Sequence, residues 1–177
     1  LFIGASGGLL LGLVGVVQND IKRVVAYSTL SQLGYMIAAT GASAYNIAVF
    51  HLVTHAFFKA LLFLAAGAVI VAMHHEQDMR KMGGLRQQLP LIFWACLIGS
   101  LALIAFPPFA GFYSKDAIIE VVALSKLPAA PWAYFCLLGG VFVTSIYTFR
   151  AFFMTFMGKN RFAASYKVTS VSPSISI

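Results

Sequence analysis

The residues best suited to chemistry in this sequence are two histidines and a lysine that lie inside one apolar run. His51, His55 and Lys59 are spaced at positions i, i+4 and i+8. On an α-helix these positions drift by only about 80° around the axis and rise by roughly 12 Å, so they form one stripe. Histidine exchanges protons near neutral pH, and an amine shielded from water releases its proton more easily. The stripe predicts a proton relay; the alternative is that each residue simply joins helices by hydrogen bonds.

A second candidate follows an interruption by two prolines and a glycine within residues 107–111. These residues disfavour a continuous helix, so we predict a break between about residues 105 and 113. Ser114 is predicted to cap the new helix, with Asp116 in its first turn, where the positive helix end favours a carboxylate and disfavours the ammonium of Lys115. The short helix that follows predicts that Lys115 lies near mid-membrane, with Asp116 as a weaker electrostatic partner. The alternative is an interfacial lysine that extends to the lipid headgroups.

The remaining polar candidates are weaker. Lys22 and Asp20 flank a helix end, and a relay role for Lys22 and a topology-setting role remain equally open. The adjacent histidines of the 74–78 loop lack a third spaced ligand, which favours a solvated loop over a metal site. Cys96 and Cys136 lie singly inside apolar runs and are interpreted as packing residues. The sequence offers neither a cysteine quartet nor a dinucleotide loop, so we expect no metal and no cofactor bound to this chain.

The composition is that of a membrane protein. Hydrophobic residues make up 60% of the 177 residues and charged residues 10%, and the mean hydropathy is +0.89. A soluble domain usually devotes about a quarter of its residues to charge. The formal charge of +7 could suggest a nucleic-acid partner. Because the positive residues lie in short loops between apolar runs, we exclude nucleic acid and expect a lipid bilayer as the surroundings.

The apolar runs predict an all-α bundle of about five transmembrane helices, one of them broken near mid-membrane. The second segment carries Ser28, Thr29, Ser31 and Gln32, which we expect to face protein rather than lipid. A chain that opens inside an apolar run without a Met is interpreted as a fragment. The predicted spans are about 1–17, 24–40, 45–73, 91–124 (broken) and 132–157, followed by an unassigned polar tail, 158–177.

The loops indicate an orientation. If all five segments span, loops 18–23 and 74–90 and the tail share one face, and the opposite face holds only Lys126. The positive-inside rule then predicts that the first face is the bacterial cytoplasm or the mitochondrial matrix. The basic residues of that face are Lys22, Arg23, Arg80, Lys81, Arg86, Lys159, Arg161 and Lys167.

Four stretches in fixed order resemble one family. They are VQNDIKRVVAYSTLSQLGYM (17–36), FHLVTHAFFKALLFLAAGAVI (50–70), HHEQDMRKMGGL (74–85) and GFYSKD (111–116). They are similar to the antiporter-like subunits, called subunit L or chain 5, of respiratory complex I, the proton-translocating NADH–quinone oxidoreductase. The resemblance covers about residues 18–158 and is closer to bacterial subunits than to animal mitochondrial ones. Beyond Gly158 it ends.

The resemblance implies that the chain corresponds to the second of two inverted five-helix repeats. Lys115 then matches the terminal lysine of the broken helix, and Lys22, His51, His55 and Lys59 belong to the polar axis that feeds it. Flavin and iron–sulfur clusters are expected only in partner subunits, which with the other membrane subunits, lipid and protons are the implied partners. The implied location is the bacterial or mitochondrial inner membrane.

Two other functions remain open on the sequence. A multi-subunit sodium/proton antiporter shares the lysine and histidine axis, although the 74–78 loop and GFYSKD favour complex I. A third possibility is a structural helix bundle without a proton path. The identity of neighbouring subunits separates the first two, and internal water along the axis argues against the third.

Overall fold

The described part of the chain is a bundle of six α-helices. The structure is a computed structural model that describes residues 1–162 and residue 168, so most of the predicted tail, including Lys167, lies outside the described residues. The all-α fold predicted from the sequence is confirmed. The helices are α1 (Phe2–Val17), α2 (Ile21–Gly41), α3 (Tyr45–Ala72), α4 (Pro90–Leu103), α5 (Ala110–Leu124) and α6 (Ala130–Phe156), with a 3-10 turn at Met79–Lys81.

The bundle buries polar side chains and exposes apolar ones, as a membrane protein does. Helices α3 and α6 are each long and apolar enough to cross a bilayer. Large apolar residues such as Phe57 and Phe142 are exposed on their outer faces. The interior holds a group of buried polar residues. In lipid such residues find hydrogen-bond partners only where they face other helices. That group is Ser28, Ser31, Gln32, His51, His55, Lys59, Ser100, Ser114, Lys115, Thr144, Thr148 and Thr155.

Glycines allow α1 and α2 to approach backbone to backbone. A Cβ atom added at Gly34 would lie 2.5 Å from the Cα atom of Gly8 and 2.7 Å from the carbonyl oxygen of Gly4. Small residues at such positions are the usual means of close helix packing in lipid. The contact places Ser31 against α1, where its hydroxyl donates to the Gly8 carbonyl at 2.7 Å. This packing fixes the polar face of α2 toward the bundle interior.

Helix α2 begins three residues earlier than predicted. Asp20 caps it, because its carboxylate accepts from the backbone amides of Lys22 and Arg23 at 2.8 and 3.1 Å. Residues 21–23, predicted as loop, are therefore helical. The expectation that the polar residues of this segment face protein is confirmed for Ser28, Ser31 and Gln32, which are buried.

The predicted break divides the fourth segment into α4 and α5, but its details differ from the prediction. Helix α4 ends at Leu103, and Ala105 takes a left-handed φ of 64°. The amide of Phe106 then bonds the Leu101 carbonyl at 3.0 Å, which closes the helix end. Helix α5 starts at Ala110 with Phe109 as its N-cap. The break thus spans residues 104–109, which starts one residue before the predicted interval of 105–113 and ends four residues before its end.

The prediction that Ser114 caps α5 was therefore wrong, and so was the placement of Asp116 in the first turn. Ser114 is the fifth residue of α5 and Asp116 the seventh. Gly111 explains the earlier start: a Cβ atom there would lie 1.9 Å from the Ala102 carbonyl oxygen, so only glycine lets α5 begin against the end of α4. Lys115 consequently lies in the second turn of its half-helix rather than at its start.

The basic loops meet at one end of the bundle. The Ile21 amide donates to the Gln77 carbonyl at 3.0 Å, and the Met79 amide donates to the Asn19 carbonyl at 2.9 Å. The Arg161 guanidinium donates to the Met82 carbonyl at 2.7 Å. Loops 18–23 and 74–90 and the residues after α6 therefore share a face, as the charge pattern requires. Side-chain and backbone hydrogen bonds from Arg80 lower the pKa of Asp78 on this face to about 2.

Candidate functional site

The stripe predicted on α3 is buried along its whole length. His51, His55 and Lys59 are 0%, 5% and 4% exposed. Their spacing by four residues directs all three to the same side of α3, toward α2 and α5. The rings of His51 and His55 lie 6.0 Å apart between centroids. A row of titratable groups thus runs through the interior at the level of the helix break.

His51 joins three helices. Its Nε2 atom lies 3.2 Å from the Gln32 carbonyl oxygen on α2, and its Nδ1 atom lies 2.8 Å from the Ser114 hydroxyl on α5. Because the amide oxygen can only accept, Nε2 donates and Nδ1 accepts from Ser114 in the neutral imidazole. The Thr54 hydroxyl in turn donates to Ser114 at 3.0 Å. A directed chain of hydrogen bonds therefore runs from Thr54 to Ser114 on α5, back to His51 on α3, and on to Gln32 on α2.

His55 occupies the middle of the row and is less fully bonded. Its Nε2 atom is buried and has no hydrogen-bond partner within residues 1–162. Its ring packs edge-on against Phe58, with centroids 5.4 Å apart. The imidazole interacts electrostatically with both Lys59 and Lys115. Buried waters commonly bond unsatisfied polar atoms of this kind.

Lys59 is anchored on α2. Its Nζ atom donates to the Val25 carbonyl at 3.2 Å and to the Ser28 hydroxyl. The Val25 carbonyl also accepts from the Ser28 and Thr29 hydroxyls, at 2.8 and 3.0 Å, so the amine shares this acceptor with two hydroxyls of its own neighbours on α2. The amine is thus held by neutral oxygens rather than by a carboxylate, so its charge is free to change.

Lys115 is held by the broken helix, though not in the predicted way. Its Nζ atom donates to the Leu103 carbonyl at 2.8 Å, and Leu103 is the last residue of α4. The break leaves this carbonyl without an intrahelical partner, and the negative end of the α4 dipole favours a protonated amine. The predicted position of the amine at the start of α5 is therefore not what the structure shows: the amine contacts the C-terminal end of α4 instead.

An aromatic ring completes the Lys115 environment. The ammonium lies 5.3 Å from the centroid of the Tyr35 ring, a cation–π contact. The Tyr35 hydroxyl donates to the Leu137 carbonyl at 2.6 Å, which fixes the ring between α2 and α6. Beside Lys115, a groove of about 360 Å³ lies between α5 and α6 and is lined by Phe112, Asp116 and Ser145 among others. Lys115 forms part of the wall of this groove.

Asp116 and Lys22 lie apart from this row. Asp116 is exposed on α5, and among residues 1–162 it forms no ion pair with Lys115. Lys22 is exposed at the start of α2, where its backbone amide donates to the Asp20 cap. The relay role of Lys22 stays a prediction. The structure brings together His51, His55, Lys59 and Lys115 of the predicted site.

Sequence reasoning missed four polar residues that connect this row. Gln32 and Ser114 bond His51, Thr54 bonds Ser114, and Tyr35 faces Lys115. From the sequence, Gln32 is predicted only to face protein, and Ser114 is predicted to be a helix cap. The available signal was spacing: Gln32 and Tyr35 lie three apart on α2, so they share the face that meets α3.

The chain is similar to proteins of one known family. Residues 1–144 match the family described as NADH:quinone oxidoreductase/Mrp antiporter, TM. The chain is 60% identical over 159 residues to the NADH-quinone oxidoreductase subunit L of Neisseria meningitidis, covering 90% of this chain and 24% of that protein. It is 54% identical over 156 residues to the NADH-ubiquinone oxidoreductase chain 5 of Arabidopsis thaliana, covering 88% of this chain and 23% of that protein.

A third relative, subunit L of Rhodobacter capsulatus, is 50% identical over 171 residues, with 90% of this chain and 24% of that protein covered. The chain spans about a quarter of the length of the curated relatives it matches. The matched region contains the whole of α1–α5 and the buried row. The chain therefore belongs to the family of transmembrane subunits shared by NADH:quinone oxidoreductases and Mrp antiporters.

Proposed function

We propose that this chain is part of the proton-translocating membrane subunit of respiratory complex I, an NADH:quinone oxidoreductase. The observation that carries the proposal is the buried row of titratable groups from Lys59 to Lys115. Ionisable residues at membrane depth are costly and usually mark an ion path. The relatives reported above are named as subunits of NADH oxidoreductases, which supports complex I over a sodium/proton antiporter.

The row supports a stepwise transfer. A proton on the Lys59 ammonium passes to His55, and from there to His51 through bridging water. When His51 gains a proton at Nδ1, this nitrogen becomes a donor and the Ser114 hydroxyl becomes its acceptor. The Nδ1 proton then points toward Ser114 on α5. Lys115 takes the proton next and releases it along the groove between α5 and α6. Each group accepts one proton and passes one on.

Electron transfer belongs to other subunits in this proposal. Partner subunits supply the flavin and iron–sulfur clusters and the passage of electrons from NADH to quinone. The other membrane and peripheral subunits of the complex, lipid and protons are the partners. The protein lies in the bacterial or mitochondrial inner membrane, with loops 18–23 and 74–90 on the cytoplasmic or matrix side.

The test is purification of the complete protein from its native membrane, followed by reconstitution into vesicles. We expect co-purification with flavin- and iron–sulfur-containing subunits, and NADH oxidation by quinone that acidifies one side of the vesicle. An antiporter would instead exchange sodium for protons when a sodium gradient is imposed and would oxidise no NADH. Recovery of only that exchange activity, without redox subunits, would contradict the proposal.

A further inference from the structure

The side-chain amide of Gln32 is bonded at one end and free at the other. Gln32 is 0% exposed, and its Oε1 atom accepts from His51 Nε2 at 3.2 Å. Its Nε2 atom is buried and has no hydrogen-bond partner among residues 1–162. A buried donor without an acceptor is costly, so we expect this NH2 group to find one in the complete protein. The position of that acceptor then decides which way the amide points.

The orientation of this amide controls where His51 carries its proton. An amide oxygen can only accept a hydrogen bond, so an oxygen facing His51 Nε2 requires a proton on that nitrogen. The Nδ1 atom of the neutral ring is then the basic nitrogen, and it faces Ser114 on α5. If the amide turned over, its NH2 group would face Nε2 instead. The ring could then take a second proton only by placing one N–H group against another.

Tyr147 on α6 lies beside the free end of the amide. Tyr147 is 1% exposed, and its hydroxyl lies next to the side chains of Gln32 and Ser28. This hydroxyl donates to Thr144 Oγ1 at 3.4 Å, and Thr144 gives its own proton to the Gly140 carbonyl at 2.6 Å. The lone pairs of the Tyr147 oxygen are therefore open to a donor.

Of the three polar side chains beside Tyr147, Gln32 is the one with a proton to give. The Thr144 proton is used as described, and the Ser28 hydroxyl donates to the Val25 carbonyl at 2.8 Å. The NH2 group of Gln32 has two protons and, within the described residues, no acceptor for either. An unused donor on α2 and an open acceptor on α6 thus lie side by side.

Glycines on α1 hold the Tyr147 ring in place. A Cβ atom added at Gly15 would lie 3.5 Å from Tyr147 Cδ1, and one added at Gly12 would lie 3.9 Å from Tyr147 Cε1. The ring therefore packs directly beside these two glycines, with α1 on one side and the polar face of α2 near its hydroxyl. This packing fixes the position of the hydroxyl relative to the Gln32 amide.

We propose that Tyr147 is a positioning residue for proton transfer through His51. Its hydroxyl accepts from Gln32 Nε2, which keeps Gln32 Oε1 toward His51 Nε2 and leaves His51 Nδ1 to take the arriving proton on the side of Ser114. The inference rests on the proposed function and adds to it the group that sets the direction of the step at His51. Tyr147 and Gln32 keep their own protons throughout.

The first test is a density map of the complete, unmodified complex at a resolution that shows side-chain hydrogen bonds. We expect Tyr147 Oη within about 3.2 Å of Gln32 Nε2. A map in which these two atoms stay beyond hydrogen-bond distance, or in which Gln32 Nε2 bonds another group, would overturn the proposal. This result does not depend on proton pumping, so its failure and the failure of the proposed function are distinguishable.

The second test is Tyr147→Phe in the complete complex. Phenylalanine keeps the ring beside Gly12 and Gly15 and removes only the hydroxyl. We expect the proton-pumping rate to fall by roughly two- to tenfold, the equivalent of one hydrogen bond. Reduction of a water-soluble electron acceptor by NADH, which reports only the redox subunits, should stay unchanged.

A Gln32→Glu background shows whether Tyr147 acts through Gln32. A carboxylate presents an oxygen to His51 in either orientation, so it needs no partner to orient it. Adding Tyr147→Phe to this background should change the pumping rate by less than about twofold relative to Gln32→Glu alone. A hydroxyl with a merely structural role would lower the rate by the same factor in both backgrounds, and that result would overturn the proposal.

Tyr134→Phe is the matched control for the loss of a phenol hydroxyl. Tyr134 lies on the same helix, is 38% exposed and lies outside the buried row. We expect Tyr134→Phe to pump at the wild-type rate. Wild-type pumping by fully assembled Tyr147→Phe would overturn the proposal.

Discussion

Replacing Ser114 with alanine removes the link between α5 and the histidine row. Ser114 is 0% exposed, donates to His51 Nδ1 at 2.8 Å and accepts from Thr54 at 3.0 Å. In Ser114→Ala, the one hydroxyl proton of Thr54 can go to the His51 carbonyl, which lies 3.1 Å away. The Nδ1 atom of His51, in a fully buried ring, loses its donor. The substitution therefore isolates one hydrogen bond of the row.

The expected magnitude follows from that buried nitrogen. An unsatisfied buried polar atom costs about 1–3 kcal/mol. If that cost falls on proton transfer through His51, the pumping rate drops by roughly five-fold to more than a hundred-fold. The free energy of assembly changes by less, because the packing of α5 against α4 through Gly111 is untouched.

The assay is proton uptake by inverted membrane vesicles during NADH oxidation, followed with a pH-sensitive dye and compared with complex content. Ser125→Ala is the matched control. Ser125 is the C-cap of the same helix and lies outside the buried row, and its hydroxyl accepts from the Leu127 amide at 3.4 Å. Wild-type pumping by fully assembled Ser114→Ala would refute the reasoning that His51 and Ser114 form part of the path.

Three further predictions follow from the packing and the loops. Gly34→Ala should lower the free energy of unfolding of the complex by about 1–3 kcal/mol, because the added Cβ atom meets the α1 backbone. Gly67→Ala should leave the free energy of unfolding unchanged, because no atom lies within 4 Å of the Cβ atom added there. Hydrogen bonds from Arg80 hold the pKa of Asp78 at about 2. Because the pKa of Asp78 is lower in the folded state, its ionised carboxylate stabilises the loop above about pH 4. This stabilisation is lost as the pH falls toward 2, so the hydrogen-exchange protection of the Arg80 amide should fall over this range. Cysteines placed at residues 80 and 126 should react with an impermeant thiol reagent from opposite sides of oriented vesicles, and labelling of both from one side would contradict the five-span topology.

The sequence predicts the elements well because their signals are local. Apolar runs, prolines and the basic loops define the bundle, the break and the face where the loops meet. The His51, His55 and Lys59 stripe is evident from spacing on one helix alone. Its burial follows, because charged groups in a lipid-facing position would be too costly.

The contacts between helices are the part that local patterns cannot supply. Serine is a common N-cap residue, which is why the sequence predicts Ser114 as the cap. The close fit of Gly111 against Ala102 instead lets the helix start at Ala110. The partner of Lys115 is the free carbonyl at the end of α4, which depends on how two half-helices stack. Gln32 and Tyr35 become part of the site only because Gly8 and Gly34 set the depth and rotation of α2.

The most direct test of the account replaces Lys59 and Lys115 singly with methionine in the complete complex. Methionine keeps an unbranched side chain of similar length and removes the titratable amine. We predict assembled complexes that pump fewer protons per electron, with Lys126→Met, an exposed loop variant, unchanged. Arginine should not restore pumping at either position, because a guanidinium does not release its proton. Wild-type proton-to-electron ratios in both Lys59→Met and Lys115→Met would contradict the claim that the buried row carries protons.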